Sequence, residues 1–420
     1  MSLLLLALCA SLSVGMQSLS CDFCVIVFEV GEAYAESQNV SVVVASLDNV
    51  CHAHKIFNHS ASILKDCLNI AEKAGQALAS LPDFTGDAYY PPPVACAILF
   101  DSVCKLPCCN SSKVPEQIYT TFGRTASEMR VTWITLTNCS SVVQWGAAPD
   151  RLSQTAQGFT TTYTQGGWVG VIHHIYLSPV TPGVPVYYRV GDGGQYMSSV
   201  LSLVNPQRGY PVKLAQVGDM GTGPRGAPTM ARFEKLTAAG QMDWVLHVGD
   251  VAYSDGNEMI YDVYGREIAF ATSVPYVLLP GNHEIVFNFA GFRHRFPMSV
   301  APGALGDNLF WAFDMGRVRF VGLNSESVVD TPQITPEEQQ WVEAELQASS
   351  ARKRSGELDW IVVSLHRPLY CSGSDEQCNK FAFYLRDRLE DLFSKSLVDL
   401  VLQAHRHNYG QCCARPWLCL

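Results

Sequence analysis

Trp244-Val245-Leu246-His247-Val248-Gly249-Asp250-Val251-Ala252-Tyr253 is the stretch that decides how this chain reads. An apolar run of strand character stops at a Gly-Asp pair and reaches a tyrosine three residues later. The same pattern recurs four times. KLAQV (213–217) runs into Gly218-Asp219-Met220-Gly221, and YVLL (276–279) leads to Gly281-Asn282-His283-Glu284. WIVV (360–363) leads to Ser364-Leu365-His366, and LVLQ (400–403) to Ala404-His405-Arg406-His407. Parallel strands present the residues beyond their C-terminal ends along one rim of a sheet. Asp219, Asp250, Tyr253, Asn282, His366, His405 and His407 are therefore expected to converge. The inventory suits two cations sharing one carboxylate, with Asp250 as the bridge and Asp219 on one ion only. Neutral imidazoles ligate transition metals well, and Asn282 offers a carbonyl oxygen. The phenolate of Tyr253 is a hard donor that favours a trivalent ion such as ferric iron and predicts a charge-transfer colour. His405 and His407 lie two apart, so the chain must bend there for them to reach different ions.

The bland readings of the same residue types hold elsewhere. Gly191-Asp192 and Gly306-Asp307 read as turns, His247 as a packed strand residue, and His173 and His174 as residues of a sandwich. His52-Ala53-His54 sits in a cysteine-rich module without carboxylates after strands, and is assigned no metal.

Around this core the chain divides. From 212 onward strands alternate with helices, which predicts a layered α/β domain over 206–420. One helix is expected over 228–239, with Met230, Phe233 and Leu236 on one face. Another starts at Thr335-Pro336-Glu337-Glu338, where Thr335 caps, Pro336 takes the first turn and Glu338 can reach back to the cap. Residues 113–205 hold short alternating runs, 129–133, 141–145, 171–177 and 186–190, separated by turn signals. That pattern means a β-sandwich of half-buried strands, with Asn205-Pro206 as the hinge that follows. Residues 21–109 read as a helical module framed by cysteines. Residues 1–20 read as a signal peptide, since 3–14 are apolar and small residues follow.

At 420 residues the chain is long enough for two or three domains. Its net charge of -10 excludes nucleic acid as the main partner. Fifteen cysteines are too many for a reducing compartment. Sequons begin at Asn39, Asn58, Asn110 and Asn138, all in the first half. Together with the signal peptide they predict a secreted protein or one of the lysosome or vacuole lumen. Cys371 and Cys378 flank a short loop and are expected to pair.

Three resemblances follow from these residues. Cys21-x-x-Cys24, with Tyr90-Pro91-Pro92-Pro93-Val94-Ala95-Cys96 and Cys104, resembles a saposin B-type domain. That implies the bridges Cys21–Cys104, Cys24–Cys96 and Cys51–Cys67, and a helical fold that can meet a lipid or membrane surface. Val131-Thr132-Trp133 with Tyr187-Tyr188-Arg189-Val190 looks like a fibronectin type III module. Finally GDMG, GDVAY, GNHE, SLH and AHRH, in that order, resemble the purple acid phosphatases within the calcineurin-like metallophosphoesterases, over 113–409.

The last resemblance implies a ferric ion held by Asp219, Asp250, Tyr253 and His407. It implies a divalent ion (Fe2+, Zn2+ or Mn2+) held by Asp250, Asn282, His366 and His405. Metal-bound hydroxide would hydrolyse a phosphomonoester, with His283 facing the substrate and Glu284 orienting His283. Arg367 and Tyr370 follow the SLH motif where relatives carry further histidines, and each can serve either substrate or structure. After 409 the expected Tyr-Glu-Arg-like run is replaced, so the domain reads as truncated or altered there. The saposin-like module keeps two alternatives in view, a sphingomyelinase-like lipid phosphodiesterase and a lipid-binding protein with an inactive catalytic half.

Overall fold

Eight short runs rich in β-branched and aromatic residues form the strands of the first half. A computed structural model describes residues 112–206, 211–298, 308–326, 335–371, 381–408 and 410. The signal peptide, the cysteine-framed module, Asn39, Asn58, Asn110, Gly306-Asp307, Cys378 and the tail after 410 lie outside the described residues. No helix among the described residues is long and apolar enough to cross a membrane.

Strands β1 (Glu116–Phe122), β2 (Met129–Thr135), β6 (Val171–Leu177) and β5 (Phe159–Thr161) make one antiparallel sheet, in that spatial order. Strands β4 (Gln154–Gln157), β3 (Val142–Gly146), β7 (Pro185–Gly191) and β8 (Leu201–Val204) make the other. Trp133, Trp145, Tyr188, Val131, Val143 and Val190 are all buried and belong to one apolar cluster. His173 and His174 lie on β6, buried, as expected. The Asp192 side chain caps a turn by accepting from the Gly194 and Tyr196 amides.

One expectation needs correction. The strand β2 is not half-buried, because all seven of its residues are covered. The sheet it belongs to packs its second face on the α/β half of the chain. Ile134 joins Tyr163, Trp168, Ile172 and Ala290 in a cluster, and Thr120 donates to the carbonyls of Ala271 and Val274. At the centre of that seam lies an ion pair with both side chains out of water, Arg295 Nη1 to Asp262 Oδ1 at 2.9 Å. Trp168 Nε1 and Gln117 Nε2 also donate to Asp262. Tyr163 takes a hydrogen bond from Arg295 and gives one to Glu258. Every polar atom of Asp262 and Arg295 that the seam buries is thereby matched, which a buried charge requires.

The α/β half has two facing sheets. Strands β9 (Leu214–Val217), β10 (Trp244–Val248) and β11 (Tyr276–Leu279) are parallel, with β10 in the middle. In the other sheet β12 (Trp311–Met315) runs antiparallel to β13 (Val318–Leu323), and β14 (Trp360–Leu365) and β15 (Leu400–Leu402) continue parallel to it. Trp244 meets Phe313 and Phe320 edge-on between the sheets. Trp311 reaches across to donate to the Leu278 carbonyl. Side chains alternate along a strand, so Val321, Leu323, Ile361, Val363 and Leu365 face outward. There they pack under helices α4 (Pro336–Arg354) and α5 (Ala382–Lys395) through Val342, Leu346, Leu385, Leu389 and Phe393.

The remaining helices are α1 (Gly223–Ala238), α2 (Ile260–Glu267) and α3 (Val286–Arg295), the last opening on three residues in the left-handed region. The helix expected over 228–239 begins at Gly223, five residues early, and Pro228 lies inside it. Its first turn, Gly223-Pro224-Arg225-Gly226-Ala227, carries no apolar periodicity to reveal it. Thr335 caps α4 by accepting from the Glu338 amide, as expected, while Glu338 Oε1 accepts from the Asn324 amide.

Candidate metal centre

The C-terminal ends of β9, β10, β11, β14 and β15 open on one rim, and each delivers its motif there. The four carboxylate and imidazole donors of Asp219, Asp250, His366 and His405 lie within 4.8 Å of one another, a spacing at which they could hold a metal ion. The seven predicted donors separate into two groups. In the first, Tyr253 Oη stands 2.9 Å from His407 Nε2 and 3.5 Å from Asp219 Oδ1, and His407 Nε2 is 3.3 Å from Asp219 Oδ1. In the second, His366 Nε2 is 3.2 Å from Asp250 Oδ2, 3.3 Å from Asn282 Oδ1 and 3.2 Å from His405 Nδ1.

The local backbone explains how the chain turns so sharply into the site. Asp219, Asp250, Tyr253 and His405 all have positive φ, between 51° and 70°. For residues with a Cβ this conformation costs about 1–2 kcal/mol each, a strain kept where donors must be aimed. The left-handed His405 is the bend that the His-x-His spacing required, and it sends His405 and His407 to different groups. Gly249, at φ +80, lets His366 lie against the turn, where a Cβ would meet the ring at 2.4 Å. A Cβ on Gly281 would meet Asp250 Oδ1 at 2.2 Å.

Hydrogen bonds set which atoms face the centre. His366 is fully buried, and its Nδ1 pairs with the Val248 carbonyl at 2.8 Å. That fixes the proton on Nδ1 and turns the Nε2 lone pair to the cluster, the arrangement that ligating histidines adopt. Burial opposes charge on His366, but Asp250 beside it carries its pKa up to about 9, so a bound cation would take the place of the Nε2 proton. Burial, then the charge on His366, pushes His405 down to about 3. The Tyr253 phenol is pushed well up, first by burial and then by Asp219 and Asp250. Only a strong cation beside it would make it a phenolate. Two carboxylates, three imidazoles, an amide oxygen and a phenol fit a pair of cations in number and in donor type.

His283 and Glu284 behave differently from each other. His283 Nε2 faces Asp250 Oδ2 at 3.8 Å, and its Nδ1 pairs with Asp255 Oδ1 at 2.6 Å. The carboxylate that orients His283 is therefore Asp255, not Glu284. Glu284 is buried under the loops and accepts from the amides of Asp250, Val251 and Gly281 at 2.9, 3.0 and 2.7 Å. Burial, then the charge of Asp250, pushes its pKa up to about 7 against those amides. The expected role fails for a geometric reason, since adjacent residues of the 3-10 turn Asn282–Glu284 point apart.

Sequence reasoning also passed over a sixth strand end on this rim. Strand β13 leads to Asn324-Ser325-Glu326, an apolar run followed by polar residues just as in the five motifs. Buried Glu326 binds Arg367 at 2.8 Å, and Arg367 Nη1 lies 3.3 Å from His405 Nε2. Tyr370 donates instead to Glu390. Asp255 was marked only by its place two residues after Tyr253. Of the remaining predicted residues, Asn138 is exposed after β2. Cys371 is disulfide-bonded, its expected partner lying outside the described residues.

Residues 115–204 match the family described as purple acid phosphatase, N-terminal domain, and residues 212–409 match the calcineurin-like phosphoesterases. Human acid phosphatase type 7 is 34% identical over 321 residues, spanning 71% of this chain and 70% of that protein. Purple acid phosphatase 22 of Arabidopsis thaliana is 30% identical, spanning 71% and 67%. The structure of a purple acid phosphatase from yellow lupin seeds superimposes with a TM-score of 0.59 at 22% identity, over 73% of this chain and 61% of that one.

Proposed function

Since this chain belongs to the purple acid phosphatases, within the calcineurin-like phosphoesterases, we propose that it is a metal-dependent acid phosphatase hydrolysing phosphomonoesters at a binuclear centre. The observation that carries the reading is the division of the donors into two groups on one rim, with Asp219 and Asp250 close enough to join them. On this reading Asp219, Asp250, Tyr253 and His407 hold a ferric ion, and Asp250, Asn282, His366 and His405 hold a divalent one. Such a pair, when bound, clamps phosphoryl oxygens and lowers the pKa of water.

The chain's own residues do the rest. Asp255 accepts from His283 Nδ1–H and so turns Nε2 toward the donor cluster. An imidazolium held this way would donate from Nε2 to a phosphoryl or leaving-group oxygen that gathers charge there. Glu284 ties the Asp250 and Gly281 turns together from beneath. Glu326 and Arg367 back His405, so Arg367 is read as a support rather than a substrate contact.

Other expectations rest on different observations. The strand orders 1-2-6-5 and 4-3-7-8 favour a fibronectin III-like sandwich. The cysteine spacing favours a saposin-like module that meets lipid, and the leader and sequons favour secretion or a lysosome-like lumen. Turnover of p-nitrophenyl phosphate with no turnover of a choline phosphodiester would support the reading, and the reverse preference would sink it. Asp250→Asn should lose metal and turnover together.

A further inference from the structure

Away from the rim, the sandwich and the end of α3 line an open-sided cavity of about 350 Å³. Three arginines line it, Arg124, Arg130 and Arg293, and among the described residues no carboxylate does. Glu128, four residues along from Arg124, is already engaged by it through both oxygens. Arg130 is the informative member. It is 7% exposed, on the covered strand β2, and its Nε finds no hydrogen-bond partner. Its guanidinium stacks at 5.4 Å from the ring of Tyr176, whose face Arg124 also covers at 4.2 Å, and at 5.9 Å from Phe159. Cation–π contact recovers part of the desolvation cost but does not satisfy an N–H donor. Elsewhere in this fold a buried arginine finds its acid, as Arg295 does in Asp262. Burial, together with the neighbouring charge of Arg124, works against the charge on Arg130. A guanidinium left in that state is a ready donor to an oxyanion.

The histidines do not compete for that role. His174 is spoken for by Thr132 and Thr161, and burial pushes its pKa to about 2, so it stays neutral. The volume accepts a bare oxyanion or a small phosphorylated molecule.

We propose that this cavity is a second anion site, separate from the metal centre, that binds a phosphate-class oxyanion through Arg130 with Arg124 and Arg293 around it. The probe is inorganic phosphate, titrated calorimetrically into the metal-replete full chain. Two binding events are expected. Arg130→Gln should weaken one by about tenfold or more, with p-nitrophenyl phosphate turnover in phosphate-free buffer unchanged. Asp250→Asn should remove the other event and leave the cavity's event intact. Arg293→Gln, at a half-exposed position, gives the same test if the Arg130 variant does not fold. Repeating the titration with glycerol phosphate separates a site for free phosphate from one for a phosphorylated molecule. A single binding event lost in Asp250→Asn, or two events that neither arginine variant alters, would overturn the proposal.

Discussion

Replacing Glu284 with glutamine separates two accounts of that residue. Its carboxylate receives three backbone N–H groups, two on Oε2 from Asp250 and Gly281 and one on Oε1 from Val251. Hydrogen bonds to a buried charge contribute about 1.5–3 kcal/mol each. A glutamine can keep its oxygen toward the first two amides. Its NH2 then faces the Val251 N–H, donor against donor. One charged bond is lost, the other two weaken to neutral ones, and a buried N–H is orphaned, for a total of about 2–4 kcal/mol. For a compact unit of about 300 residues that lowers Tm by roughly 3–6 °C. Since Asp250 sits at φ 51 and its amide makes one of the two bonds that weaken, the donor cluster should loosen too. Calorimetric Tm and metal stoichiometry are the readouts. If Glu284 merely oriented His283, the variant would keep its metal and its Tm and lose turnover alone, and that result would refute the argument.

Other consequences are more quickly stated. His283→Ala should retain metal and lose about 10²–10⁴-fold in kcat. Asp255→Asn should lose less, and a kcat equal to that of the parent chain would remove Asp255 from the mechanism. Arg295→Met leaves Asp262 buried without its partner and should cost about 3–5 kcal/mol, read as a fall in the denaturant midpoint; no change would mean the seam does not depend on the pair. His173 is held neutral, since burial pushes its pKa down to about 4. An unfolded histidine takes a proton near 6.5, so the folded state binds fewer protons between these values and loses stability as pH falls through them. His173→Asn should flatten that slope of Tm between pH 7 and 4.5, and an equal slope in both proteins would count against it.

What the sequence disclosed was whatever a single segment carries. WVLHV and YVLL became β10 and β11 without change because every residue in them is apolar or strand-forming and a glycine turn follows. The donors were found because each stands at such an end. Relations between distant segments were hidden. The full burial of β2 depends on Tyr163, Trp168 and Ala290 packing against Ile134. The Arg295–Asp262 pair is joined by Gln117, Tyr163 and Trp168, from segments far apart in the chain. The division of labour between Asp255 and Glu284 turns on left-handed residues and on which way a short turn points its side chains. The anionless Arg130 looked, in sequence, like any outward strand residue.

The purified full chain, analysed for transition metals alongside its visible absorption, bears most directly on the whole proposal. Two metal atoms per chain, one of them ferric, and a visible band that vanishes in Tyr253→Phe are the expected result. A well-folded chain that stays colourless and takes up neither ion would contradict it.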